Sequence, residues 1–222
     1  MTKEDDTTSV LGDTAATNRE ALRLEAIERS REAARPVLAD LAAIGIEIQA
    51  LADLPGRGNY REAIPVLVKW LPQIEDVAIK TGIVRALTVP WATAAVPMLV
   101  REFRREGEVP PSLRWAIGNA LEVLASDQIA DEMMQIAVDQ RYGTARQMVV
   151  LGLGKLKNPR VVDVLLGLLQ DEDVVGHAVD ALGALRAQQA RGRLEQLLSH
   201  PKAWVRKEAK KALAKIDKAG RR

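Results

Sequence analysis

Residues 161–185 read VVDVLLGLLQDEDVVGHAVDALGAL. Two apolar segments of helical period flank the polar run QDED at 170–173, the pattern of two helices joined by a tight turn. The second segment carries His177, one of two histidines in the chain, with Asp173 four residues before it and Asp180 three after. Helical spacing puts those three side chains on one face, as a metal or acid/base cluster would require. What decides between a site and a structural unit is whether the hairpin is unique.

It is not unique. The segments VRALTVP, GNALEVL, LGLGKL, VDALGAL and KKALAKI align on Leu87, Leu121, Leu153, Leu182 and Leu213, at intervals of 34, 32, 29 and 31 residues. A preceding series, AIPVLVKWL, AVPMLVREF, IADEMMQIA, VVDVLLGLL and RGRLEQLL, aligns on Leu67, Leu99, Met133, Leu165 and Leu194. The spacing predicts about five helix hairpins over 56–219. Four residues before each leucine of the later series stand Ile83, Ile117, Val149, Ala178 and Ala209, which join it on a buried face. Seven before stand Lys80, Arg114, Arg146, Val175 and Arg206. This basic column is structural: an aliphatic stem packs while its head reaches loop carboxylates or carbonyls.

The stretches LEQLLSHPKAWVRKEAKKALAKI and VVDVLLGLLQDEDVVGHAVDALGAL resemble HEAT repeats, and in particular the short bacterial HEAT-like units also found in phycobilin lyase subunits. The likeness rests on the first-helix leucines, on WVR at 204–206, on Ala178 and Ala209, and on ALG at 181–183. It spans about residues 59–217 and is strongest in the last two units. Val175 departs from it, standing where the family usually has arginine, so the fourth unit lacks one rung of the family's arginine and aspartate ladder. The resemblance implies an all-α, right-handed solenoid of the HEAT/armadillo type with second helices on the inner, concave face. Physically, one hairpin cannot bury its own apolar stripe, so its neighbours must.

Around this array, residues 1–17 read as a disordered polar tail, 18–55 as N-terminal capping helices with a break or new first turn at Pro36, and 220–222 as a basic tail. IEIQALADL reads as a short second helix, although Ile44, Ile46 and Ile48 alternate as in a strand. Pro65 and Pro97 occupy equivalent places that suit a first turn.

Composition removes whole classes of function. Hydrophobic residues make up 47% of the 222 and aromatics 3%, so the core must be aliphatic. With no cysteine there is no disulfide framework, thiolate zinc site or cysteine nucleophile, which fits a reducing cytoplasm. The start of the chain has no basic-then-apolar signal, and no run reaches the roughly 18 apolar residues of a membrane helix, so a cytoplasmic protein without a membrane partner is expected. The net charge of +2 is small but uneven. Residues 201–222 carry nine bases against two acids, a basic cap of the kind a terminal repeat exposes.

No catalytic constellation is legible. LGLGKLK at 151–157 imitates a phosphate loop but lacks its glycine spacing and the hydroxyl after lysine; its glycines read as close-packing positions. The equivalents of His177 are Gly82, Ala116, Met148 and Glu208, which share no chemistry. That column therefore offers packing or a partner contact. The expectation is no enzyme, no cofactor and no metal.

The informative surface lies two, five and six residues before each aligned leucine, where side chains turn away from the core. It offers a partner-binding set of Arg85, Trp115, Asn119, Met148, Leu151, His177 and Asp180. Large apolar residues flanked by polar ones compose a protein-binding hot spot. Helix rotation that tucks Trp115 between repeats is the competing reading. The expected function is a scaffold, adaptor or inhibitor that binds an as yet unidentified protein through its concave face. Nucleic-acid binding, as in HEAT-like proteins resembling DNA alkylation-repair glycosylases, is the alternative; it is disfavoured by mixed inner charge and few stacking aromatics. Lyase or chaperone work on a tetrapyrrole is implied by the family resemblance alone.

Overall fold

The computed structural model describes residues 5–220, with side chains described from 18 to 218. Eleven α-helices and no strand occur among the described residues. After α1 (Asp5–Ala43) come five hairpins: α2 (Ala63–Trp70) with α3 (Val77–Ala86), α4 (Val96–Arg104) with α5 (Pro111–Val123), and α6 (Ala130–Val138) with α7 (Gln147–Leu153). The last two are α8 (Arg160–Gly167) with α9 (Val175–Ala184), and α10 (Arg191–Gln196) with α11 (Ala203–Gly220). α5, α7, α9 and α11 each pack on their own first helix, α3 packs on α1 and α5, and α3, α5, α7, α9 and α11 follow one another in one continuous stack.

The leucine registers account for that stack. Leu67, Leu99, Met133, Leu165 and Leu194 are fully buried, as are Leu87, Leu121, Leu153 and Leu182. Leu213 is only half-buried, because no sixth hairpin covers it. Ile83, Ile117, Val149, Ala178 and Ala209 complete the buried face. Pro65 and Pro97 lie in the first turns of α2 and α4, where a missing N–H breaks no helical bond.

A second column, unread in the sequence, sets how closely these helices approach. The residue just before each aligned leucine is small: Ala86, Ala120, Gly152, Ala181 or Ala212. Gly152, Ala181 and Ala212 each meet the residue just after the leucine of the preceding unit. A Cβ on Gly152 would lie 3.1 Å from Glu122 Cα, one on Gly154 2.8 Å from Ala181 Cα, and one on Gly183 2.8 Å from Ala212 Cα. Each of these three crossings has a glycine on one side. The glycines of the phosphate-loop mimic are thus packing residues.

Several N-terminal expectations are corrected. α1 passes through Pro36 without a break. The lost hydrogen bond and ring clash, about 3 kcal/mol, are outweighed by burial of Ala34, Val37 and Leu41 on the array. α1 also begins at Asp5, so the segment read as a disordered tail enters the helix there: once a turn is nucleated, each further residue adds a bond. Residues 1–4 and 221–222 lie outside the described residues, and the expected basic tail begins with Gly220 still in α11. IEIQALADL is not an α-helix. Gly45, at φ +82°, ends α1 with Ile46 N–H donating to Leu41 C=O at 2.9 Å, and a 3-10 helix follows at Leu51–Arg57. The Asp53 carboxylate accepts from the N–H groups of Gln49 and Ala50, holding that tighter turn.

Candidate functional site

The bases in the first turn of the second helices are occupied by the fold. Arg114 donates to the carbonyls of Phe103 and Arg105 at 3.1 Å each, and Arg206 to those of His200 and Pro201. Fully buried Arg146 donates to Ala137 C=O at 2.8 Å and Gly143 C=O at 2.9 Å, and reaches forward to Asp171 Oδ2 at 2.9 Å. Each guanidinium takes up carbonyls that the end of the first helix and its turn leave unpaired. Lys80 differs: its ammonium is buried against Glu102 of the next hairpin at 3.0 Å. Where Val175 replaces the base, no such clamp exists. The turn before α9 is held by Asp171, whose Oδ1 accepts from Asp173 N–H while Oδ2 takes Arg146. The α9 N-cap is Val174, one residue after Asp173.

Of the seven proposed contact residues, three come together. Arg85 of α3 and Trp115 and Asn119 of α5 line a depression of about 600 Å³ with Thr88, Ser112 and Ala116. Trp115 is 43% exposed, so it stands at the surface and is not tucked between repeats. Its helix position explains this: Ala116 and Ile117 take the buried face of α5 and turn the indole outward. No acidic side chain lines the depression, and the Arg85 guanidinium makes no hydrogen bond or ion pair among the described residues. The lining supplies a guanidinium, two hydroxyls and a carboxamide beside one broad apolar face. Thr88 and Ser112 were missed in the sequence because they fall outside the three outward columns.

The other four residues do not join this depression. Met148 is half-buried over Gly118, whose Cβ would lie 3.6 Å from that of Met148, and Leu151 is half-buried on α7. Asp180 pairs with Lys215 of α11 at 2.9 Å. His177 is packed edge-on to Trp204 at 5.8 Å. Its Nδ1 is buried without a hydrogen-bond partner. Burial lowers the imidazole pKa below 6.5, and the nearby Asp180 opposes that shift. The Asp173, His177 and Asp180 cluster that helical spacing suggested is therefore not assembled: Asp173 lies 3.7 Å from the Arg146 guanidinium.

The remaining tryptophans serve packing. Trp204 lies across α9, where a Cβ on Gly176 would come within 1.7 Å of its ring. Trp91 stands edge-on to Tyr60 at 6.0 Å, with the Arg61 guanidinium over it. Trp70 is half-buried, and its Nε1 donates to Asp40 Oδ2 at 2.8 Å, tying α1 to α2. His200 Nε2 lies 3.3 Å from Glu172 and its Nδ1 accepts from Lys202 N–H at 3.2 Å; Lys202 and His200 hold the Glu172 carboxyl below the usual range. Among the described residues, no group of three His, Cys, Asp or Glu side chains is placed to hold a metal ion, and no helix is long and apolar enough to cross a membrane.

Comparison with known families matches residues 170–221 to HEAT repeats. No curated protein matches the chain. The narrower likeness to phycobilin lyase subunits is thus without support of its own. The matched segment holds α9, α10 and α11, and the hairpins before it keep the same leucine register and the same small-residue crossings. The match shows that residues 170–221 are similar to HEAT repeats.

Proposed function

We propose that the protein is a non-enzymatic adaptor, scaffold or inhibitor that binds another protein along its second helices, with the Arg85, Trp115 and Asn119 depression as the anchor. The observation that carries this reading is Trp115: a large aromatic, 43% exposed, beside a guanidinium that no carboxylate of the described chain neutralises. Exposed Trp and Arg sharing a concavity are the residue types that dominate protein interfaces. Nucleic-acid binding through the inner bases is disfavoured, since Lys80, Arg114, Arg146 and Arg206 are already bonded to carbonyls and carboxylates.

The test is capture of partners from source-cell extract at low and high salt, with Trp115→Ala/Asn119→Ala as control. The expected result is a discrete protein retained at both salts by the parent chain and lost by the variant. Both substituted side chains line an open depression, so unfolding transitions should agree within about 0.5 kcal/mol. Nucleic acid recovered only at low salt and unaffected by the variant would move the function to the exposed lysines of α11.

A further inference from the structure

Residues 18–29 of α1 present an exposed helix surface with apolar residues on it. Among the described side chains of α1, the Ser30 hydroxyl reaches the array, donating to Asp76 Oδ2 at 3.0 Å. Every side chain from 18 to 29 is exposed. Among them, Leu24 is 57% and Ile27 39% exposed. A helix of this kind gains little from water, and an exposed apolar stripe on it marks an association surface. Glu20, Leu24, Ile27 and Arg31 are spaced by four, three and four residues, the spacing of one coiled-coil seam, and Ala34 and Leu38 continue it. Ile27, Arg31, Ala34 and Leu38 also form one wall of a groove of about 700 Å³, closed on the far side by Leu51 and Ile79.

The charges on the seam select its occupant. In a parallel pair of identical helices, Glu20 would face Glu20 and Arg31 would face Arg31. In an antiparallel pair centred between Glu25 and Ala26, each Glu20 faces an Arg31 and each Leu24 faces an Ile27, so the seam is complementary to itself under a two-fold axis. At present Glu20 and Arg31 pair only within their own helix, with Arg23 at 3.5 Å and Glu28 at 3.4 Å. Such exposed pairs hold little energy and exchange readily.

We infer that the chain forms an antiparallel homodimer through α1, each copy laying Leu24 and Ile27 against the Ile27 and Leu24 of the other. This surface is separate from the Trp115 depression and stands or falls independently of it.

Sedimentation equilibrium of the full chain tests the proposal. The expected mass is twice the 24.3 kDa of one chain. Leu24→Glu/Ile27→Glu should give the single-chain mass with unchanged thermal unfolding of the array. Glu20→Arg and Arg31→Glu should each shift the protein toward monomer, while the combined Glu20→Arg/Arg31→Glu should restore the dimer. A parent chain that stays monomeric at every concentration reached would overturn the proposal. So would a dimer indifferent to Leu24→Glu/Ile27→Glu, or a combined charge variant as weak as its two parents.

Discussion

Arg146 carries the largest single-residue role in the array, because one buried guanidinium satisfies two carbonyls of its own hairpin and a carboxylate of the next. Arg146→Ala removes the guanidinium from all three acceptors and is expected to cost about 3–5 kcal/mol in urea unfolding, the range for breaking a buried ion pair. Arg146→Lys should lie between, since an ammonium is a point charge and cannot fork toward three acceptors. A loss below about 1 kcal/mol in the alanine variant would contradict the clamp. His177 gives a pH signature. Its folded pKa is depressed by burial, so its contribution is fully present above the unfolded value of 6.5 and is lost as pH falls through that value toward the lower folded one. Protonation would also place a second N–H where Nδ1 has no acceptor. Denaturation midpoints at pH 8 and pH 5.5 should therefore diverge more for the parent chain than for His177→Gln. The basic column was legible because a charge recurring one turn from a leucine has few other uses; which carbonyl each head would take was not.

At the scale of elements, the helix crossings make a prediction in which one substitution has two signs. Gly167 on α8 has open space around its missing Cβ, whereas Gly183 on α9 faces the backbone and Cβ of Ala212 at 2.8 Å. Gly167→Ala should stabilise by up to about 1 kcal/mol through helix propensity. Gly183→Ala should destabilise by about 1–3 kcal/mol as overpacking, and Ala212→Gly in the same chain should recover part of the loss; thermal melts of the four proteins check this. The leucine columns could be read from sequence because apolar residues at helical period announce a buried face. The small column beside them could not, since alanine and glycine are as common outside contacts as within them. Pro36 misled for a related reason. A local rule predicted a break, and tertiary burial of Val37 and Leu41 on the following turn overrode it.

The whole molecule is a one-dimensional stack, and its stability belongs to its junctions. A chain truncated after Leu185 would uncover the α9 face that α11 now buries, including fully buried Leu182 and Ala178. The expected outcome is a broader urea transition with loss of helix signal beyond the deleted hairpin; a remainder that unfolds as sharply as the full chain would contradict neighbour dependence. Hairpin count and order were readable from the leucine intervals. The Trp115 depression was readable only in part, because Thr88 and Ser112 of its lining fall outside the outward columns. The glycines at the crossings also fix the sequence of assembly. Excising the third hairpin would bring Glu122 to Ala181 without the glycine that each of these three crossings now has. Excising the fourth would leave Gly154 free to meet Ala212 but would strip Arg146 of Asp171. Neither hairpin can be deleted cleanly: each is addressed to the neighbour it has.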